Sequence, residues 1–390
     1  MMMRRCCLLP LRQQQVVCRE LSGGWKLSTA LVHGDKSLSH LSDVAAPIGV
    51  STTFERADDD SADFVYSRSS APTRSRCEAL LGALEGPGVS ALLFSSGLSA
   101  VHAAFSGLLG TEKVKRVLIS GGYHGTHEAL RALQRTGSPL KVEALDSVLE
   151  DGDVLWLETP KNPTAELADV EKYVCRARKK QNCNVIVDAT LGPPPLQYPL
   201  HLGARMAVHS ATKYFAGHSD CLAGVVFLKT DDTHLLEELR RTREAIGTVP
   251  GSLETWLLLR SLRTLDLRIK RQTKTASDLA DFLRTQDHMV KEVHHFANSP
   301  LAKTQMPLGV GATFAIDMKT EAQARALPKT LTLFKDATSL GGIESLAEWR
   351  RKYDNNISPT LVRLSVGLEH LDDLIQDFNQ AFDKINNQKT

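Results

Sequence analysis

A chain of 390 residues is long enough for two or three domains, each burying its own core. Apolar residues at 42% and charged residues at 24% match folded globular proteins and exclude wholesale disorder or a fibre. A formal charge of +2, with no long block of one sign, argues against nucleic acid and leaves a small charged metabolite as the expected partner.

Arg4, Arg5, Arg12 and Arg19 precede the first acidic residue, Glu20. This basic leader reads either as an organellar transit segment or as a basic extension. A cytoplasmic protein is expected, with mitochondria as the alternative. Cys6, Cys7, Cys18, Cys77, Cys175, Cys183 and Cys221 are scattered, without CxxC pairs or metal-ligand spacing. That predicts a reducing compartment and no metal site. The longest apolar run, residues 91–109, is interrupted by Ser95, Ser96, Ser99, His102 and Ser106, too much polarity for a membrane span.

From Ser75 to about Leu228, short apolar runs alternate with amphipathic stretches, as in a parallel sheet wrapped by helices. The expected strands are 91–94, 116–120, 142–145, 154–158, 185–188, 206–209 and 224–228, giving a mainly parallel seven-stranded sheet in an α/β domain. Helical spacing covers 98–109, 124–135 and 170–180, with Asp169 as N-cap of the last. Beyond Thr230 come helices over 232–245 and 253–284, the second long enough to connect domains. Strands over 313–318 and 361–366 and a final helix over 371–385 predict a smaller α+β unit. The expected division is an extension and arm over 1–64, a large α/β domain over 65–250 and a small domain over 251–390.

The segment from Val208 to Gly224 ends a strand and presents Ser210, Thr212 and Lys213 on one loop. A lysine attacks a carbonyl only when neutral, so such a loop suits a Schiff-base lysine, and the two hydroxyls could hold a phosphate. The plainer alternative is a solvated loop lysine. Upstream, Asp188 terminates the hydrophobic run Val185-Ile-Val, where a carboxylate can hold a pyridinium nitrogen protonated or simply cap the next turn. Leu93 to Ala100 runs through Gly97 into a helix whose N-terminal amides would converge on an anion, though such turns also occur without one. Tyr123, among the glycines of 121–125, could stack on a planar ring or pack internally.

Taken together these segments resemble the Cys/Met-metabolism family of pyridoxal-phosphate enzymes, which includes cystathionine γ-synthases, cystathionine lyases and methionine γ-lyases. The resemblance runs from about Pro47 to Phe382. It is carried by Ser-Ala-Thr-Lys-Tyr at 210–214, Gly-His-Ser-Asp at 217–220, Tyr66-Ser-Arg68 before Pro72-Thr73, and Glu158-Thr-Pro-Lys-Asn-Pro163. Ser339-Leu-Gly-Gly-Ile-Glu-Ser345 and Val362-Arg-Leu-Ser-Val-Gly-Leu-Glu369 add to it. It implies the fold of type I pyridoxal-phosphate enzymes, like aspartate aminotransferase: a large α/β domain and a smaller α+β C-terminal domain. It also implies pyridoxal 5'-phosphate as cofactor, with Lys213 as Schiff-base lysine, Asp188 on the pyridine nitrogen and Tyr123 stacked on the ring. The phosphate would rest on the Gly97 and Leu98 amides and the Ser210 and Thr212 hydroxyls, with Thr190 among the cofactor-binding residues. Tyr66 and Arg68 would come from a neighbouring subunit, implying a homodimer paired into a tetramer. Arg363 would bind the substrate α-carboxylate, assisted by Asn162 and Ser339.

The resemblance implies a carbon–sulfur lyase acting by β- or γ-elimination on cystathionine or a related sulfur amino acid, with Lys213 and Tyr123 catalytic. γ-Replacement on an activated homoserine ester is the alternative, and a non-catalytic relative the third. A nicotinamide oxidoreductase is excluded by the absence of a GxGxxG opening a helix. The chain departs from the family pattern at Ala71 and Ala189, where Asn is customary, and at Thr338, where γ-cleaving lyases have Glu. It departs again over Ala347 to Asp354, where relatives carry Met-Thr-His and a longer loop.

Overall fold

The computed structural model describes residues 25–38, 43–55, 64–112 and 114–387. The basic leader and its arginines therefore lie outside the described residues. Helices α1 (Leu27–His33) and α2 (Pro72–Glu85) lead into the large sheet, α2 starting with Pro72 in its first turn, where a missing N–H costs nothing.

The sheet comprises β1 (Val89–Phe94), β2 (Arg116–Leu118), β3 (Lys141–Glu143), β4 (Val154–Glu158), β5 (Asn184–Asp188), β6 (Met206–Ser210) and β7 (Gly224–Lys229), in the order β1-β7-β6-β5-β4-β2-β3. The seven expected strands are all present. Strand β7 alone runs against its neighbours, since the connection over residues 211–223 contains no helix to carry the chain back across the sheet and returns it antiparallel to β6. The other six strands point the same way, so Phe94, Glu158, Asp188 and Ser210 all finish at one end of the sheet.

Both faces are covered, as the near-continuous apolar strands require. Val154 and Trp156 join Ile186 and Met206 under α3 (Gly97–Thr111), while Leu155, Leu157, Val185 and Val187 pack beneath α5 (Val170–Ala177). Between them in the chain, α4 (His124–Arg135) follows β2. Asp169 caps α5 as expected, accepting the Lys172 amide at 2.9 Å.

Helix α6 (Thr233–Ile246) leads to a correction: the single helix expected over 253–284 is two, α7 (Ser252–Leu262) and α8 (Leu265–Arg284). Thr264 leaves helical geometry at φ −111° and ψ 7°. The break is stabilised because the Ser261 carbonyl accepts the Thr264 amide at 3.1 Å and the Arg268 guanidinium at 3.0 Å, while Arg268 also donates to the Thr264 hydroxyl at 3.2 Å.

The C-terminal part holds a five-stranded sheet, β10-β11-β12-β9-β8, of β8 (Val290–His294), β9 (Thr313–Met318), β10 (Lys335–Asp336), β11 (Leu346–Trp349) and β12 (Leu361–Ser365). It is antiparallel except for β10 on β11. Helices α9 (Pro300–Gln305), α10 (Glu321–Thr330) and α11 (Leu371–Asn387) complete it. The chain is thus α/β with a mostly parallel seven-stranded sheet and a second, smaller sheet. Among the described residues, no helix is long and apolar enough to cross a membrane.

Candidate active site

A cavity of about 720 Å³ opens between the ends of the large sheet and the small sheet. Eleven of the thirteen residues singled out in the sequence line it: Gly97, Leu98, Tyr123, Asn162, Asp188, Thr190, Ser210, Thr212, Lys213, Ser339 and Arg363. Tyr66 and Arg68 do not line it within this chain; the Arg68 guanidinium lies 5.3 Å from the centre of the half-exposed Tyr66 ring.

Strand β1 delivers the chain to Ser96, whose hydroxyl accepts the Ser99 amide at 3.0 Å and starts α3. No hydrogen bond engages the Gly97 or Leu98 amides among the described residues, so two donors and the positive end of the helix face the cavity. A Cβ on Gly97 would stand 2.8 Å from that of Ser210, which is why only glycine brings the helix end against β6. The Ser210 hydroxyl has no hydrogen bond among the described residues. The Thr212 hydroxyl, by contrast, already accepts from the Ala223 amide at 3.0 Å and donates to its carbonyl at 3.2 Å, fixing the loop between β6 and β7.

Asp188 is buried at the end of β5, and its Oδ1 accepts both the amide (3.0 Å) and the hydroxyl (2.6 Å) of Thr190. Burial pushes this carboxyl above its usual range and the two Thr190 bonds pull against the shift. In register beside it on β4 stands Glu158, which accepts the Tyr123 amide at 2.6 Å and the Asn162 amide at 2.7 Å. Burial, with the negative charge of Asp188 adding to it, pushes Glu158 up to about 8. Both carboxyls line the cavity, and a negative charge on either one favours a proton on the other.

Lys213 projects from the turn after β6. Arg268 holds that turn through the Tyr214 carbonyl at 2.8 Å, and the buried Tyr214 hydroxyl ties it to β9 by accepting the Ala312 amide at 3.0 Å. Gly217 has φ 64°, and any side chain there would run into Arg268. The Lys213 amine donates to Ser339 Oγ at 3.0 Å. Burial lowers it from 10.5 to about 8, the nearby Arg363 cation lowering it further and Glu348 opposing.

Arg363 enters from β12 and is 5% exposed. One guanidinium nitrogen donates to Asn162 Oδ1 at 3.0 Å, the other to the Ser339 carbonyl at 2.8 Å and to Glu348 Oε2 at 2.5 Å. Glu348 is its partner across the antiparallel pair β11–β12, so the ion pair follows from register. Burial lowers Arg363 to about 10, Glu348 holding it up and Arg350 depressing it. Ser339 sits at φ 84°, a strained conformation for a residue with a side chain, and thereby points its hydroxyl at Lys213 and its carbonyl at Arg363.

Among the cavity residues that the sequence reading did not single out are three acidic or basic ones. Glu158 was visible within its motif but had no role, while Glu348 and Arg350 lie in the segment that departs from the family pattern. The charges of these last two signal a site only once β11 is known to pair with β12.

A model of the Cys/Met metabolism PLP-dependent enzymes matches residues 28–383. The chain is 34% identical to cystathionine beta-lyase MetC of Bacillus subtilis over 93% of its length and 97% of that protein's. It is 33% identical to cystathionine gamma-lyase of Dictyostelium discoideum, over 92% of this chain and 98% of that one. The structure of cystathionine gamma synthase from Xanthomonas oryzae pv. oryzae in complex with cystathionine superposes with a TM-score of 0.84 at 28% identity, covering 93% of this chain and 99% of that one. With the family model matching residues 28–383, a shared fold and near-complete coverage, the chain belongs to the Cys/Met-metabolism family of PLP-dependent enzymes.

Proposed function

We propose that this chain is a carbon–sulfur lyase of the transsulfuration type, using pyridoxal 5'-phosphate to eliminate at Cβ or Cγ of cystathionine or a related sulfur amino acid. The observation that carries the reading is Ser339, which bonds Lys213 through its hydroxyl and Arg363 through its carbonyl. One residue thus sets the distance between a base and an anchor for a carboxylate.

The cavity suits the cofactor at three points. The Gly97 and Leu98 amides and the Ser210 hydroxyl, without hydrogen-bond partners among the described residues, form an anion cradle, Asp188 offers a buried carboxyl, and Lys213 offers an amine eased toward neutrality. Pyridoxal phosphate, when bound, supplies an electron sink for charge developing at the substrate Cα. Lys213 is the residue to accept the Cα proton, and a value near 8 leaves about a fifth of it unprotonated near pH 7.4, against about a thousandth for a hydrated lysine. Arg363 takes the α-carboxylate in its planar fork, with Asn162 and Ser339 holding the guanidinium in plane. Asp188 keeps a proton on the pyridine nitrogen, and Thr190 orients that carboxylate. Tyr123, 38% exposed on the cavity wall, is placed to stack on a ring and to pass a proton to a departing sulfur. Tyr66 and Arg68, outside the cavity, are read as contributions to a neighbouring subunit's site in a homo-oligomer.

The test is a visible spectrum of the purified protein followed by L-cystathionine with product analysis. Pyruvate, ammonia and homocysteine identify β-elimination; 2-oxobutyrate, ammonia and cysteine identify γ-elimination. A yellow protein inert to cystathionine but active on a homoserine ester plus thiol assigns γ-replacement instead. A protein that cannot take up the cofactor removes the proposal.

A further inference from the structure

We propose that Arg350 is a positioning residue that takes over the Glu348 carboxylate when a substrate carboxylate settles on Arg363. The inference rests on the role given to Arg363 above. Glu348 is 2% exposed and shares one oxygen, Oε2, between Arg363 at 2.5 Å and Arg350 at 3.0 Å. Its other oxygen, Oε1, has no hydrogen-bond partner among the described residues, and neither has the Nε of Arg350, itself 8% exposed. Two buried groups of opposite charge therefore hold unused bonding capacity on the same cavity wall.

The charge count gives this arrangement a purpose. Arg363, Arg350 and Glu348 together carry one net positive charge, so a single arriving carboxylate makes the group neutral. Without Arg350, one guanidinium would face two buried carboxylates and the substrate would meet repulsion at its own anchor. Lys213 does not stand in, since its amine is committed to Ser339 Oγ and makes no hydrogen bond to Glu348 among the described residues. Arg350 lies two residues from Glu348, where the chain leaves β11, and needs only a side-chain adjustment to engage Oε1.

The experiment titrates the cofactor-loaded protein, followed by its visible absorbance, with L-norleucine, which has one carboxylate and no leaving group, and with L-cystathionine, which has two. Arg350→Met is expected to weaken both ligands by about 30-fold, and Arg350→Lys by less than about threefold because the cation survives. Adding Glu348→Gln to Arg350→Met should restore binding to within about threefold of the wild type, since the repelling charge is gone. Steady-state turnover should show the same loss in KM, with kcat changed little. Glu348→Gln alone, which does not depend on the Met variant folding, should bind norleucine as tightly as the wild type or more so.

A loss confined to cystathionine would mean that Arg350 touches the second carboxylate and overturns the proposal. No recovery in the double variant, no loss in Arg350→Met, or tenfold weaker norleucine binding in Glu348→Gln would overturn it too. A wild type with no visible band removes the functional reading and this inference together, whereas a banded wild type with indifferent variants removes this inference alone.

Discussion

The two walls of the cavity are built on different terms. The wall at the ends of β1, β5 and β6 is made mostly of backbone amides, short hydroxyls and a carboxylate held by near neighbours: Asp188 by Thr190, Ser210 by the Thr190 hydroxyl at 2.9 Å. The wall on β11 and β12 is made of full charges, Glu348 paired with Arg363 across the two strands and with Arg350 where the chain leaves β11, and Arg363 also reaches Asn162 Oδ1 across 201 positions. Parallel topology positions the first wall, because strand ends in such a sheet converge whatever their side chains. Cross-strand register and charge balance position the second, so it tolerates less alteration of side-chain chemistry.

The largest effect should come from breaking the first wall chemically. Lys213→Ala removes the amine but no support of the sheet, so the fold and thermal midpoint should hold while turnover falls by at least about 10³-fold and the visible band of the bound cofactor shifts. Binding of a substrate carboxylate at Arg363 should survive. Steady-state lyase activity in that variant would sink the assignment of Lys213.

Breaking the second wall should give a different signature. Arg363→Lys keeps the charge but cannot reach Asn162, the Ser339 carbonyl and a substrate carboxylate in one plane. A rise of about 10- to 100-fold in KM is expected with a smaller change in kcat. A fall in kcat with KM intact would mean that the walls do not divide binding from chemistry in this way.

The same division governs what the sequence disclosed. Six of the seven strands were legible because strands buried in the sheet are almost unbroken apolar runs, and Lys213, Asp188 and Gly97 were legible because each lies at or just past the end of such a run. Strand β8, Val-Lys-Glu-Val-His, was missed because an edge strand half in solvent carries charges that dilute its signal. The break in the long helix was missed because Thr264 is no helix breaker by propensity; Arg268, four residues on, makes the break stable. Glu348 and Arg350 carried no role in the sequence beyond lying in the segment that departs from the family pattern, and only the pairing of β11 with β12 shows that they are buried together. Nothing in residue spacing reports a contact set by sheet register.

A third measurement lies where the walls meet, at the Lys213 amine. Burial is the main cause of its low value, with Arg363 on the opposite wall second. Only the neutral amine attacks an aldehyde, so capture of pyridoxal phosphate by cofactor-free protein should speed up as pH rises, with its midpoint near 8 rather than 10.5. Below that midpoint the rate should fall about tenfold per pH unit. Glu348→Gln removes the opposing charge and should move the midpoint lower. A profile still climbing at pH 10 would mean a hydrated lysine and a first wall that does not desolvate its base.

The smallest predicted effect concerns the joint between the walls. Ser339 holds φ 84° and serves Lys213 with its hydroxyl and Arg363 with its carbonyl. A left-handed backbone costs a residue with a Cβ roughly 1–2 kcal/mol, and glycine avoids that cost. Ser339→Ala and Ser339→Gly both delete the hydroxyl, so their effects on Lys213 are the same and only the backbone differs. At ordinary positions glycine is the less stable of the two, through the freedom it has in the unfolded chain. Here the order should reverse, with Ser339→Gly unfolding at higher urea than Ser339→Ala by about 1 kcal/mol. If Ala proves the more stable, the residue relaxes out of this conformation at little cost. The two walls would then be set by the sheets alone, and Ser339 would follow their spacing instead of imposing it.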